Sequence, residues 1–256
     1  MVSNNVIISM IIVMLVCVLF PIGIFIYFKI KEGISIKTTL GGIIGFVLFA
    51  LILEQILHKV VTSSNIIPVN TLAFGIYGAL AAGVFEETGR FLVFKTFLKN
   101  KREWKDGLGY AIGHGGIEAI LVGGLSFLNS LIITFALNSG TLDTMLKGQS
   151  ESMVEGIKSS VMNATPLMIG VGGIERIFAF MVQVGLTFVV FYGIKKRKNI
   201  YLLYAILLHA LVDFIPALYQ TKIISNVFIV EAVVGIFAII AVVFTIRSRK
   251  VFENIE

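Results

Sequence analysis

The hydrophobic residues of this chain form long runs of about 20 residues, separated by short polar segments. A helix needs about 20 mostly apolar residues to cross a bilayer core of about 30 Å, and each run is long enough. The pattern therefore predicts an all-α fold, a polytopic transmembrane helix bundle with about seven spans. The predicted bounds are Val6–Phe28, Leu40–Leu57, Thr71–Phe94, Leu108–Leu131, Leu167–Ile194, Ile200–Tyr219 and Val227–Ile246.

The fourth run is the least regular. It continues past Leu131 to Leu137, which predicts either one long, tilted span or a kink or short re-entrant piece near Gly123 and Gly124, so the count is seven to eight. Residues 138–165 mix Ser, Thr, Gly and Asn with balanced charges and are too polar for a core of their own. The sequence therefore predicts a single integral membrane domain over residues 1–256, with an outer polar loop at about 138–165.

Lysine and arginine are concentrated at alternate ends of the predicted spans. They cluster after the first, third, fifth and seventh spans, whereas the other loops carry isolated lysines. Because basic residues favour the cytoplasmic side, the pattern predicts an N-terminus outside and a C-terminus in the cytoplasm. The clusters are Lys29, Lys31 and Lys37; Lys99, Lys101, Arg102 and Lys105; Lys195–Lys198; and Arg247, Arg249 and Lys250.

The composition excludes an ordinary soluble domain, because 57% of the 256 residues are hydrophobic, 14% are charged and the mean hydropathy is +0.96. The net charge of +6 does not indicate nucleic-acid binding, since the basic residues lie where membrane topology already requires them. The expected partner is the lipid bilayer. Cys17 is the sole cysteine, so neither an intrachain disulfide nor a thiolate metal site is possible, and we expect it to face lipid or another helix.

Ionisable side chains in the middle of a span are costly, so each needs a partner or a function. The third span contains Glu86, Glu87 and Arg90, and Glu86 lies roughly 13 Å inward from Lys95 at the helical rise of about 1.5 Å per residue. Helical spacing brings Arg90 within reach of both acids. One carboxylate can pair with the guanidinium while the other is left for chemistry. The structural alternative is an ion pair whose spare acid is bonded to another helix.

Two further pairs reach the same depth in the membrane. His114 and Glu118 share one face of the fourth span at i, i+4 spacing, and His209 and Asp213 do the same on the sixth. Because three helices supply imidazole and carboxylate groups to one layer, we expect these side chains to converge. Such groups are usual ligands of Zn²⁺ where no cysteine is available. For His114, a bond to a neighbouring carbonyl in a tight helix contact is the structural alternative.

Other charged residues within the spans are interpreted as structural. Glu54, His58 and Glu231 lie near the outer ends of their spans and are expected to be interfacial. Glu175 and Arg176 open the fifth span, roughly 28 Å from its basic end, and are too far from the layer to contact the reacting groups. We expect them to form an ion pair at the outer rim.

The chain closely resembles the YhfC family of intramembrane metalloproteases in three motifs. They are FEETGR (residues 85–90), YAIGHGGIE (residues 110–118) and HALVD (residues 209–213). The family in turn resembles the CPBP (CAAX protease and bacteriocin-processing) and PrsW families, and the agreement covers about residues 71–219, the core helices of the expected site. Arg90 lies one residue nearer to the acids than in the EExxxR pattern of CPBP proteins, and Tyr110 replaces the phenylalanine of FxxxH. The spacing leaves open whether Glu86 or Glu87 is catalytic.

The resemblance implies a multi-pass protein of the bacterial plasma membrane that hydrolyses a peptide bond in a membrane-associated peptide or protein substrate. A glutamate would activate water, and the histidines with the aspartate would bind a metal or the oxyanion. The implied catalytic residues are Glu86, Glu87, Arg90, His114, His209 and Asp213. If Zn²⁺ is the cofactor, the implied ligands are His114, His209 and Asp213, with Glu118 as a ligand or an orienting group.

Two other functions fit the same residues. A proton- or ion-coupled transporter uses buried Asp, Glu and His as its relay. A non-enzymatic membrane scaffold or bacteriocin-immunity protein would use the polar layer only to lock the bundle. Substitutions in the layer distinguish the scaffold from an enzyme, because in a scaffold they reduce folding without a separate loss of turnover.

Overall fold

The computed structural model describes residues 1–254, which fold into α-helices without any β-strand. The helices are α1 (Asn4–Lys31), α2 (Ile36–Phe46), α3 (Gln55–Ser63), α4 (Leu72–Lys95), α5 (Trp104–Glu118), α6 (Leu125–Asn138), α7 (Leu142–Met145), α8 (Glu151–Met162), α9 (Pro166–Lys195), α10 (Ile200–Gln220) and α11 (Val227–Glu253). Two π-helical stretches, Val47–Glu54 and Ala119–Gly124, join α2 to α3 and α5 to α6 without a break.

Six continuous helical segments, two of which include a π-helical stretch, are long and apolar enough to cross a membrane. They confirm an all-helical, multi-pass membrane protein and follow the predicted spans, with bounds extended by several residues at some ends. α4 is not among the six, because four charged side chains lower its hydropathy, and its role as a seventh span stays a prediction. The six are Asn4–Lys31, Ile36–Ser63, Trp104–Asn138, Pro166–Lys195, Ile200–Gln220 and Val227–Glu253.

Side-chain caps set the beginnings of two helices that carry the site. Thr71 Oγ1 accepts a hydrogen bond from the backbone N–H of Phe74 at 3.2 Å and begins α4. Thr165 Oγ1 accepts from the N–H of Met168 at 3.2 Å, and Pro166 occupies the first turn of α9, where its missing N–H costs nothing. The registers of α4 and α9 are therefore fixed at the end of the bundle away from the lysines.

Glycines bring the central helices into close contact. α4 packs most extensively against α10, and α2 against α5. A Cβ placed on Gly83 of α4 would lie 2.7 Å from the carbonyl oxygen of Ile206 on α10, and one on Gly113 of α5 would overlap the backbone of Thr39 on α2. Such small residues let membrane helices approach at backbone distance. This approach brings the acids of α4 near the histidines of α5 and α10.

The long fourth run is a single helix interrupted by a π-helical stretch, not a re-entrant piece. The stretch begins directly after Glu118 and covers Gly123 and Gly124, where the kink was expected. A Cβ on Gly123 would lie 2.8 Å from Cys17 Sγ, so α1 packs closely at this point. Cys17 is buried and faces a helix, as expected.

The segment predicted as an outer polar loop contains two short helices, α7 and α8. Its apolar side chains Leu142 and Val161 are buried, and Val161 joins the cluster formed around the first residues of α1. Asn138 at the start of the segment exchanges two hydrogen bonds with the backbone of Val2, at 2.8 and 3.1 Å. The segment therefore packs onto the bundle and does not form a core of its own.

The bundle has two chemically different ends. At the basic end, α4 finishes at Lys95, α9 finishes at Lys195 and α10 begins. At the opposite end, called the distal end here, α4 and α9 begin, α10 finishes, and segment 138–165 lies. The residues predicted to form the site lie between these two ends.

Candidate active site

The two adjacent acids of α4 point to different neighbours. Glu86 Oε2 lies 2.9 Å from His114 Nε2, and its Oε1 lies 4.0 Å from His209 Nε2. Glu87 Oε1 lies 2.6 Å from His209 Nδ1, and its Oε2 lies 3.5 Å from Arg90 Nε. Both acids are buried, but Glu86 lines a cavity. Glu86 is thus the acid between the two imidazoles, and Glu87 supports one imidazole from behind.

Arg90 holds this arrangement together from one turn further along α4. Its side chain is fully buried, and Nη2 lies 3.3 Å from Glu86 Oε2. Nη1 donates to the carbonyl oxygen of Gln183 at 2.9 Å and to Thr187 Oγ1 at 3.1 Å. Nη2 also donates to the side-chain oxygen of Gln183. The guanidinium therefore pairs with Glu86 and Glu87 together, and it also contacts α9 through Gln183 and Thr187 and α5 through His114.

His114 is fully buried beside Glu86, and two aromatic rings pack against it. Phe46 meets it edge-on with ring centroids 5.2 Å apart, and Tyr110 stacks on it at 5.9 Å. His114 Nε2 faces both the Glu86 carboxylate and, at 3.0 Å, Arg90 Nη2. These contacts fix the ring plane and aim Nε2 at the carboxylate.

His209 has a carboxylate oxygen facing each ring nitrogen. Glu87 Oε1 lies 2.6 Å from Nδ1, and Asp213 Oδ2 lies 3.2 Å from Nε2. The ring is buried, whereas Asp213 is half-buried and faces the cavity. The three helices therefore bring Glu86, His114, His209 and Asp213 into one connected cluster.

Sequence reasoning missed Gln183, which is buried at the centre of the cluster. Its side-chain N–H₂ donates to Glu86 Oε2 at 2.9 Å and to Glu118 Oε2 at 2.6 Å, while its side-chain oxygen accepts from Arg90. Only this amide orientation places donors on carboxylates and the acceptor on the guanidinium. A detectable signal was the amide in an apolar stretch of α9, one turn before Thr187 on the same face.

The structure corrects the interpretation of Arg176. It pairs with Glu175 as expected, with its Nε 2.8 Å from Glu175 Oε2, but its Nη1 also lies 3.7 Å from Glu118 Oε1. Glu118 lies one turn beyond His114, on the side of the distal end, and the long arginine side chain spans the remaining distance. Arg176 therefore contacts the cluster and is more than a residue of the outer rim.

Glu54 and His58, expected to be interfacial, contact other side chains of the bundle, and their depth in the membrane stays a prediction. Glu54 is buried inside the bundle, with Oε1 3.1 Å from His58 Nε2, and His58 Nδ1 lies 2.8 Å from Tyr77 Oη. His58 lines the same cavity as Glu86. The π-helical stretch that ends at Glu54 packs against α4. Glu231, expected to be interfacial too, is half-buried, and within residues 1–254 its Oε2 has no hydrogen-bond partner.

The cavity beside Glu86 has a volume of about 290 Å³. Its wall combines small residues of α4 with polar side chains from the other helices. Its lining residues are His58, Gly78, Ala79, Ala82, Glu86, Glu118, Glu175, Arg176, Ala179, Val182, Gln183, His209, Val212, Asp213, Pro216, Ala217, Gln220 and Val234.

One set of side chains in this cluster has the spacing of a metal site. Donor atoms of Glu86, His114 and Glu118 all lie within 4.8 Å of one another. Two carboxylates and one imidazole are donors that fit Zn²⁺. Among the described residues, His209 and Asp213 do not belong to this group: His209 faces the other oxygen of Glu86, and Asp213 contacts His209.

Comparison with known proteins agrees with the geometry. A family model described as "YhfC intramembrane metalloprotease" matches residues 16–234. The "Uncharacterized membrane protein YhfC" of Bacillus subtilis (strain 168) is 38% identical over 258 residues, covering 99% of this chain and 100% of the relative. No solved structure matches the chain. The proposed relation to CPBP and PrsW proteins stays a prediction from motif spacing. The chain is thus a multi-pass membrane protein that belongs to the YhfC intramembrane metalloprotease family.

Proposed function

We propose that this protein hydrolyses a peptide bond in a membrane-associated substrate and that Glu86 activates the attacking water. The position of Glu86 is the observation that carries the proposal. Its side chain is the most buried of the acids that line the cavity, with one oxygen 2.9 Å from His114 Nε2 and the other facing His209. A general base must lie within hydrogen-bond reach of a water that can also approach the substrate. Glu87 has no such position, because it lies behind His209.

The chain supplies the proton transfers of peptide hydrolysis in two steps. Glu86 accepts a proton from water as the oxygen attacks the carbonyl carbon, and it then returns that proton to the leaving amine as the C–N bond breaks. Arg90 and Gln183 donate hydrogen bonds to the Oε2 atom of Glu86, which leaves Oε1 directed toward His209 and the cavity. We assign the proton transfers to Oε1 for this reason.

His209 is the group we propose for stabilising the oxyanion. Its Nδ1 is fixed by Glu87, and its Nε2 lies beside Asp213 at the cavity wall. A ring held at both nitrogens by carboxylates is suited to donate a hydrogen bond to the negative charge that develops on the carbonyl oxygen. Glu87 is then a positioning residue that acts through His209.

The metal implied by the family name fits the residues between α4 and α5. Glu86, through the Oε2 atom that faces His114, would hold it together with His114 and Glu118, and we propose zinc because two carboxylates and one imidazole are available, with Glu86 and His114 buried. When bound, such an ion lowers the pKa of a coordinated water and polarises a carbonyl. Arg90 would keep the carboxylates of this site in place through its contacts with Thr187 and the Gln183 carbonyl.

We also propose that α4 is the seventh span and that the basic end is cytoplasmic. α4 has 24 residues, and it packs along α10, which is itself long and apolar enough to cross the membrane. Its charged side chains are directed at other helices and are largely shielded from lipid. Basic residues at one end of the bundle favour the cytoplasmic side, which places the N-terminus outside.

The test compares Glu86→Gln with Glu87→Gln, a matched pair that keeps size and removes one negative charge. Each variant leaves Arg90 with one carboxylate as its counter-charge, so we expect both to fold and both to lose some thermal stability. The difference should lie in turnover: Glu86→Gln should lose at least about 100-fold in kcat on a membrane-peptide library, the scale of a general base, and Glu87→Gln should lose less. Retention of wild-type cleavage by Glu86→Gln would sink the mechanism.

Metal content provides a readout that does not depend on turnover. His114→Ala should lower the zinc bound by purified protein, since the imidazole is one of the clustered donors. Asp213→Asn is the control, because Asp213 lies outside that cluster and should keep the bound zinc. Equal zinc content in His114→Ala and the parent protein would reject this ligand set.

A further inference from the structure

The cavity extends from Glu86 in one direction only. On α4 its lining residues run from Glu86 back to Gly78, and on α9 they run from Gln183 back to Glu175. On α10, which runs the opposite way, they proceed from His209 forward to Gln220. All three series therefore lead toward the distal end from the layer that contains Glu86, His114 and His209, called the acid layer here.

The distal side of the cavity is polar and reaches the protein surface. Gln220 is the last residue of α10 and is exposed, so the cavity wall continues to the end of that helix. Arg176, Glu175 and His58 contribute charged or polar groups along the way. Such a wall can hold water inside a membrane protein, whereas an apolar cavity of this size stays dry.

The opposite side of the acid layer is closed by packed aromatic rings. Phe94, Tyr110, Phe188 and Phe191 are fully buried. The Phe94 ring centroid lies 4.6 Å from that of Tyr110 and 4.6 Å from that of Phe191. Close-packed rings of this kind leave few voids large enough for water between Arg90 and the basic end. Among the described residues, none on this side lines the cavity.

We infer that water and substrate reach Glu86 from the distal end alone, so the scissile peptide bond must be presented from that half of the membrane. The substrate part of this inference rests on the proposed proteolysis, whereas the water route does not. A helix with its side chains is about 10 to 12 Å across, and a cavity of about 290 Å³ accepts only a short unwound stretch. The substrate class is therefore a membrane-associated polypeptide that is locally extended on the side of segment 138–165.

Thiol labelling in oriented vesicles tests the water route. In a Cys17→Ala background, exposed Ser150→Cys and Lys196→Cys mark the distal and basic sides. Ala217→Cys on the cavity wall and Ala205→Cys, fully buried on the same helix, are the matched reporter and control. A membrane-impermeant thiol reagent on the Ser150 side should modify Ala217→Cys at least about tenfold faster than Ala205→Cys.

From the Lys196 side, the reagent should modify Ala217→Cys no faster than the control. Labelling from the basic side, from both sides as in an alternating carrier, or from neither side as in access from lipid alone, would each overturn the inference. Ala179→Cys, on the cavity wall of α9, replaces the reporter if Ala217→Cys does not fold.

Protection from labelling by a bound peptide tests the second part of the inference, the substrate route. A library peptide that the parent protein cleaves should slow labelling of Ala217→Cys in a Glu86→Gln background, where the bound peptide is not consumed. Absence of protection by a cleaved peptide would show that substrate does not use this cavity. If the parent protein cleaves nothing, the proposed proteolysis fails, while the labelling result still decides the water route.

Discussion

The basic and distal halves of the bundle differ although the same helices run through both. On the basic side of the acid layer, buried rings of α4, α5 and α9 pack against one another at tilted angles. On the distal side of this layer, α4 carries the small residues Gly78, Ala79 and Ala82, and they leave a cavity of about 290 Å³. One half therefore consists of a packed core, and the other consists of a polar-lined space.

This contrast shows how the bundle can hold buried charges at the boundary between a packed core and a polar cavity. Arg90 lies on the packed side, fully buried, and pairs with carboxylates that lie at or near the open side. Charges that are buried and paired stay fixed, while an acid at the cavity wall can exchange a proton with water. The two halves supply stability and chemistry respectively, and substitutions in each should have different consequences.

Gln183 lies at the boundary and should give the largest effect. Gln183→Glu replaces the N–H₂ donor with an oxygen that faces Glu86 Oε2 and Glu118 Oε2, at the distances of 2.9 and 2.6 Å now spanned by hydrogen bonds. A third carboxylate there leaves charge uncompensated and should cost about 3 to 5 kcal/mol in thermal or denaturant unfolding. Cleavage activity should be lost as well.

Gln183→Met separates hydrogen bonding from charge in the same position. It keeps the length of the side chain but removes the donors, so we expect at least about a tenfold fall in kcat with a smaller loss of stability, about 1 to 3 kcal/mol. Thr187→Val is the control, because it removes one contact of Arg90 and leaves the Gln183 amide in place. Wild-type kcat in Gln183→Met would contradict a positioning role for this residue.

The packed half should respond to substitution by loss of stability. Phe94→Ala removes a fully buried ring that packs against Tyr110 and Phe191, and such truncations cost about 3 to 5 kcal/mol. Val212→Ala, at the cavity wall, is the comparison and should cost less, because space already adjoins that side chain. Equal losses of unfolding free energy in the two variants would remove the distinction between the halves.

Much of the acid layer could be predicted from the sequence because depth in a membrane helix can be counted. The rise per residue from Lys95 or Lys105 places Glu86 and His114 at similar depth, and i, i+4 spacing identifies the face. The helices themselves follow from the apolar runs. The cluster around Glu86 agrees with this reasoning: its residues lie at one counted depth on different helices, and they are in contact.

The rotation of each helix about its own axis, by contrast, could not be predicted by counting residues. Glu86 and Glu87 are separated by about 100° on α4, and the packing of α4 against α10 decides which one faces the cavity. Gln183 was missed because an uncharged amide gives a weaker signal than a charge. Arg176 was placed too far away because counting along one helix ignores the reach of a long side chain.

The smallest effect is expected at Tyr110. Its ring belongs to the packed half, whereas we expect its hydroxyl to contribute nothing to stability or catalysis. Tyr110 Oη is buried and, within the described residues, has no hydrogen-bond partner. The position of Gly45 explains how the hydroxyl fits, because a Cβ there would overlap it. A buried polar group without a partner costs free energy, so Tyr110→Phe should leave stability unchanged or raise it by about 1 to 2 kcal/mol. Ring stacking on His114 is retained, so kcat should stay at the parent value. Tyr110→Leu is the control, since it removes the ring and should lower both stability and kcat. If Tyr110→Phe alone lowers kcat, the hydroxyl takes part in the chemistry, and the packed half would not be limited to stability.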